Sequence, residues 1–137
     1  IIRTIVKTGK SVLVSTPYME EASQCNKVGL IFEGEMLAVD TPQKLVSGFT
    51  LPLYCLHTPS PTHTFEVMQK TKLASDIQLF GGCLHLTDSG NKGAEALRTE
   101  LLSCGVVVEK IEPLEPQLED VFLSLLNSCK VGKAPGY

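Results

Sequence analysis

Apolar residues along the chain recur with two different periods, and the changes of period mark out its elements. Ile1, Ile2, Ile5 and Val6 have helical spacing, and Gly9 stands where a glycine closes a helix. Residues 11–15, SVLVS, form a nearly continuous apolar run, which predicts a buried strand of the parallel kind. Residues 18–27 are polar and helix-compatible. Residues 28–32 and 35–39 then read as two strands joined at Glu33 and Gly34, a hairpin turn by spacing and by its glycine. In DTPQKLVSGF, Thr41 caps a helix, Pro42 takes its first position and Gly48 stops it, with Leu45, Val46 and Phe49 facing inward.

The rhythm changes at about residue 50, where LPLYCLHTPSPTH carries three prolines. Residues 53–57 predict a strand, 62–71 a helix with Phe65 and Met68 on one face, and 77–80 a strand. Gly81 and Gly82 make a two-residue turn, across which residues 84–86 pair back. Residues 92–103 form an amphipathic helix with Leu97, Leu101 and Leu102, closed by Gly105, and 106–111 a strand. This β-α-β-β-α-β order is the split, ferredoxin-like pattern. A last helix starts at Pro116 and buries Leu118, Val121, Phe122, Leu125 and Leu126. The expected division is therefore residues 1–50, residues 51–130 and a tail at 131–137.

Composition narrows the function classes. The 137 residues are 43% hydrophobic and 20% charged, as in a folded domain and not a disordered one. A net charge of −3 and scattered cations, apart from a weak cluster at Lys70 and Lys72, leave no electrostatic footprint for nucleic acid. No apolar run approaches the ~20 residues that span a bilayer. The chain opens on Ile-Ile-Arg without methionine, and we expect it to be a piece of a longer polypeptide. The five cysteines are odd in number and widely spaced, with no C-x-x-C, so neither a disulfide framework nor a zinc site is expected. Cys83 and His85 share a strand face, but two ligands fall short of a structural metal site. Glu109, Glu112, Glu115, Glu119 and Asp120 cluster around Pro116. Helix-dipole complementarity and solvent exposure account for them better than acid/base chemistry does. Ser15, Ser103 and Ser128 show no triad-like spacing.

Gly9-Lys10-Ser11 has the ending of a phosphate-binding loop. Such a loop needs G-x-x-x-x-G-K-[ST] between a strand and a helix. Here Thr4 stands where the first glycine belongs, and the order is helix, then loop, then strand. The motif is a decoy.

The longer stretch GKSVLVSTPYMEEASQCNKVGLIFEGEMLAVDTPQKL nevertheless resembles the last part of an ABC-transporter ATP-binding cassette. The family pattern there is G-K-T-V-L-V-S-T-H-Y-M-D-E-A-E-x-C-D-x-I, followed by a strand, a glycine hairpin and D-T-P-x-x-L. Ser15-Thr16, Tyr18-Met19, Glu21-Ala22, Cys25 and Asp40-Thr41-Pro42 all match. Cassettes of the ABC-2 exporter type carry an appended domain ending in P-S-L-E-D-V-F-L, and residues 116–123 read PQLEDVFL. The resemblance implies a C-terminal fragment of a P-loop α/β core, followed by a ferredoxin-like α+β domain and a terminal helix.

It also implies that the Walker A loop, Q-loop, signature and Walker B lie upstream of Ile1, and that only the switch position falls within this chain. There Pro17, after Ser15 and Thr16, replaces the family's histidine. An imidazole at that point can hydrogen-bond a γ-phosphate and help place water; proline has neither a side-chain donor nor a backbone N–H. A degenerate cassette, such as the first of a tandem pair, is one reading. A turn that tolerates proline in an active parent is another, and a sequence error a third. For this chain no catalytic residue, metal or cofactor is expected, with ATP and magnesium belonging to the parent. The resemblance implies as partners the rest of its own cassette, a second cassette and a transmembrane permease, at the cytoplasmic face of the inner membrane. The severed strand at residues 11–15 predicts self-association through residues 1–48. A ligand-sensing ferredoxin-like domain and a fragment of a working ATPase are the alternatives.

Overall fold

A computed structural model describes residue 4 and residues 7–71 and 76–130. Their fold is mixed α/β, with two antiparallel sheets. The expected helix over Ile1, Ile2, Ile5 and Val6 and the tail at 131–137 lie outside the described residues, as does Lys72.

The first sheet is a hairpin of β1 (Val28–Phe32) and β2 (Glu35–Asp40). Glu33 and Gly34 both adopt positive φ, 49° and 83°, as a two-residue turn requires when its twist matches that of the strands. The register slips between Leu30 and Ile31, so Leu37 sits as an extra residue in β2. The slip keeps Val28, Leu30 and Leu37 together on one buried face. A short helix, α1 (Met19–Ala22), precedes the hairpin, and α2 (Pro42–Ser47) follows it. The Thr41 hydroxyl accepts the Lys44 N–H at the start of α2, a cap that contributes about 1 kcal/mol.

The second sheet holds β3 (Leu53–His57), β4 (Asp76–Phe80), β5 (Cys83–Thr87) and β6 (Lys110–Pro113) in the order β4-β5-β3-β6, every pair antiparallel. The connections are α3 (Pro61–Thr71) and α4 (Ala94–Ser103). Leu56, Leu84 and Leu86 point from the central strands onto Met68 of α3 and Leu101 of α4, and all five are essentially solvent-free. Gly105 closes α4 at φ 78°. Its N–H reaches the Leu102 carbonyl at 3.0 Å, while Val106 N–H reaches Leu101 at 3.1 Å. This paired capping pattern needs a left-handed residue.

The terminal helix α5 (Leu118–Lys130) lays Leu118 and Val121 on Val28, Leu30 and Leu37 of the hairpin, with Phe122, Leu125 and Leu126 around them. It also touches the four-stranded sheet. His85 Nδ1 lies 2.8 Å from Asp120 Oδ1, and Asn127 Nδ2 donates to Asp76 at 2.6 Å. α5 thus covers the hairpin and grips the sheet.

Three expectations need correction. Residues 11–15 form no strand: they run without regular structure, with Leu13 fully exposed and Val12 and Val14 about two-fifths exposed. A strand requires a neighbour to accept its ladder, and none stands beside it among the described residues. Helix 18–27 shortens to Met19–Ala22, because Gln24 and Cys25 bond three residues back and the Ser23 hydroxyl takes the Glu20 carbonyl. The strand at 106–111 starts only at Lys110. Val106 and Val108 are buried, but they leave the α4 cap and cross the core before Glu109 N–H meets the His57 carbonyl at the sheet edge.

Candidate functional site

Ser15, Thr16 and Pro17 lead into α1. Ser15 and Pro17 are exposed, and Thr16 is half-buried. The Thr16 hydroxyl accepts the Tyr18 N–H at 3.1 Å and donates to Glu21 Oε2 at 2.6 Å. These two bonds close a small turn around Pro17. Tyr18, two-thirds exposed, projects beside it. An open depression of about 520 Å³ lies here, lined by Pro17, Tyr18, Met19, Glu20, Glu21 and Glu119. Its carboxylates come from α1 and from the first turn of α5, about a hundred residues apart in sequence.

The described side chains here bring no positive charge to a nucleotide's polyphosphate. Phosphate sites gather backbone N–H donors, Lys or Arg. Here the Thr16 hydroxyl already serves Tyr18 and Glu21, Pro17 donates nothing, and among the described residues every charged side chain in the lining is an acid.

The acidic residues around Pro116 separate by role. Asp120 is buried: Oδ2 accepts the Gln117 N–H at 2.8 Å and Oδ1 faces His85. A carboxylate at the third helical position reaching back to the N-cap amide is half of a capping box, so the LED of residues 118–120 held the signal for that bond. The His85 contact had no local signal. Glu112 pairs with Lys110 at 2.6 Å and lies 3.3 Å from His57 Nε2. Lys110, first by its hydrogen bond and also by its charge, holds the Glu112 carboxyl below the usual range, with His57 adding to the effect. Cys55, buried on the same sheet face, is 3.3 Å from His57 Nε2. Burial first, then the neighbouring Cys83 thiol and the Glu112 charge, pushes the Cys55 thiol up to about 12.

All five cysteines are free. Cys83 and His85 do share a face of β5, but His85 is bonded to Asp120. Among the described residues no group of three or more His, Cys, Asp or Glu is arranged to hold a metal ion. No helix among them is long and apolar enough to cross a membrane.

Comparison with known proteins gives a consistent direction. The chain is 30% identical over 131 residues to the daunorubicin resistance ATP-binding protein DrrA2 of Streptomyces coeruleorubidus, a match that covers 90% of this chain and 40% of that protein. It is 39% identical over 44 residues to the protein named probable multidrug ABC transporter ATP-binding protein YbhF in Escherichia coli and in Shigella flexneri. Those 44 residues are 32% of this chain and 8% of each of those proteins. The chain thus spans well under half the length of these relatives. No family model matches the sequence, and no solved structure matches the chain. By sequence, this polypeptide is related to the ATP-binding proteins of ABC transporters.

Proposed function

We propose that the chain is the C-terminal, non-catalytic portion of the ATP-binding subunit of an ABC-2 type exporter, at a cassette whose switch position is degenerate. The observation that carries the reading is the Thr16–Pro17 turn. It stands where the resemblance puts the residue facing a γ-phosphate, yet its proline offers no N–H, its Thr16 hydroxyl is already engaged, and acids line the depression beside it. In this reading residues 1–50 are the end of the cassette, 51–130 an appended regulatory or interaction domain, and 131–137 a tail. The strand order β4-β5-β3-β6, with helices after β3 and β5, supports a ferredoxin-like fold for the appended domain. The parent binds ATP with magnesium, pairs with a second cassette and couples to a transmembrane permease at the cytoplasmic face of the membrane. Copies of the isolated chain associate through residues 1–48, whose apolar segment at 12–14 is uncovered.

Calorimetric titration of the 137-residue chain with magnesium and ATP tests this. No isotherm in the micromolar range and no phosphate release are expected. A clear isotherm overturns the reading. In the full-length parent, Pro17→His is expected to raise hydrolysis at that cassette where its other motifs are intact.

A further inference from the structure

The face of the four-stranded sheet that turns away from α3 and α4 carries two thiols on neighbouring strands. Cys55 of β3 lies opposite His85 of β5. Cys83, two residues before His85, therefore projects to the same face and stands diagonally beside Cys55. The two thiols are hydrogen-bonding neighbours. They differ in access, Cys55 being buried and Cys83 half-buried. His57 Nε2 lies 3.3 Å from the Cys55 sulfur. None of these groups lines the depression at Pro17.

Two uses are closed to this pair. Burial, more than any other cause, keeps the Cys55 thiol protonated, so it is no nucleophile toward an outside substrate. Among the described residues no three ligands converge on a metal ion. Two contacting thiols, one of them reachable from solvent, suit oxidation to each other. Diagonal neighbours on antiparallel strands stand about 7–8 Å apart. The Cα atoms of a disulfide stand about 4.4–6.8 Å apart, so one strand must shift a little. Cys83 is placed to do so. The β3–β5 ladder pairs residues as far as Leu56 with Leu84, which leaves Cys83 one residue beyond its end. Cys83 pairs with Phe80 across the Gly81–Gly82 turn, and open space surrounds both glycines.

We propose that Cys55 and Cys83 are a peroxide-sensitive dithiol that closes to a disulfide between β3 and β5. Cys83, the reachable thiol, attacks hydrogen peroxide: its sulfur takes one oxygen as a sulfenic acid, and the other oxygen leaves as water. The Cys55 sulfur then attacks the Cys83 sulfur. The S–S bond forms, and the sulfenic oxygen leaves with the Cys55 proton as a second water. Two thiols are oxidised to one disulfide while one peroxide is reduced to two waters. The pair sits in the four-stranded sheet, and its chemistry is independent of the fate of nucleotide at Pro17.

The test is peptide mapping by mass spectrometry after the 137-residue chain is reduced, freed of reductant and exposed to equimolar hydrogen peroxide. The expected product is a chain lighter by two hydrogens, with Cys55 and Cys83 in one cross-linked fragment that dithiothreitol separates. Cys83→Ser is expected to abolish that fragment. Cys55→Ala is expected to leave a longer-lived sulfenic acid at Cys83, read by dimedone labelling. Circular dichroism checks that both variants keep their fold, and the map of the unsubstituted chain decides the matter if either does not. Oxidation of Cys104 or Cys129 while Cys55 and Cys83 stay reduced overturns the proposal. A map that joins Cys55 or Cys83 to any other cysteine overturns it too, as does sulfinic acid building up at Cys83 without a cross-link. A Cys55–Cys83 link that forms only after unfolding in urea, or only between chains, has the same consequence.

Discussion

The four-stranded sheet and the hairpin meet the same physical demand in different ways. In the sheet, each central strand has a hydrogen-bonded neighbour on both sides, and two helices close over Leu56, Leu84 and Leu86. Among the described residues the hairpin has two strands, two free edges, and one buried face whose cover comes from a helix about eighty residues further along. Its other face leaves Ile31, Met36 and Val39 about half-exposed. Two-stranded hairpins are marginal alone in water, so the difference shows which region holds its own core and which depends on a late-arriving element.

Substitutions at the two cores break that comparison most strongly. Leu84→Ala empties a site with no solvent access, and large-to-small changes of this kind cost about 2–5 kcal/mol. Urea unfolding followed by circular dichroism is expected to show that loss across the whole sheet. Leu118→Ala removes part of the hairpin's cover and costs somewhat less, about 2–3 kcal/mol. Hydrogen exchange is expected to report it unevenly, with protection falling in Val28–Phe32 and Glu35–Asp40 and persisting in Leu53–His57 and Cys83–Thr87. Equal loss in both regions would show that the hairpin shares the sheet's stability.

A smaller effect distinguishes the regions by pH. The Cys55 thiol is raised from 9.0 to about 12 in the folded sheet. A folded value above the unfolded one gives a stabilisation that is complete below about 9.0 and is lost as pH climbs toward 12. Denaturant midpoints across that window are expected to fall for the native chain and to fall less for Cys55→Ala.

How far these regions could be read beforehand follows from the range of the forces involved. Glu33 with Gly34, Thr41 with Pro42, and Gly105 act on their nearest neighbours, and each ends or starts its element where the residues themselves demand. The apolar run at 11–15 reads as a strand by the same local logic, yet pairing needs a second strand that local composition cannot supply. Val106 and Val108 alternate in burial like a strand's residues while making no ladder, because burial and backbone pairing are separate requirements. At the candidate site, Ser15, Thr16 and Pro17 were legible through the block around them. Glu119 was not, since α5 brings it there from the far end of the chain. The His85–Asp120 bond spans 35 positions and left no trace in spacing.

That bond gives Asp120 two employments. One oxygen fastens the first turn of α5 through the Gln117 amide, and the other fastens β5 through the His85 ring. The carboxylate is therefore a rivet through two plates: the hairpin hangs from the helix, the helix is pinned to the strand, and a wrench applied to either plate reaches the other through this side chain as well as through the Asn127–Asp76 bond.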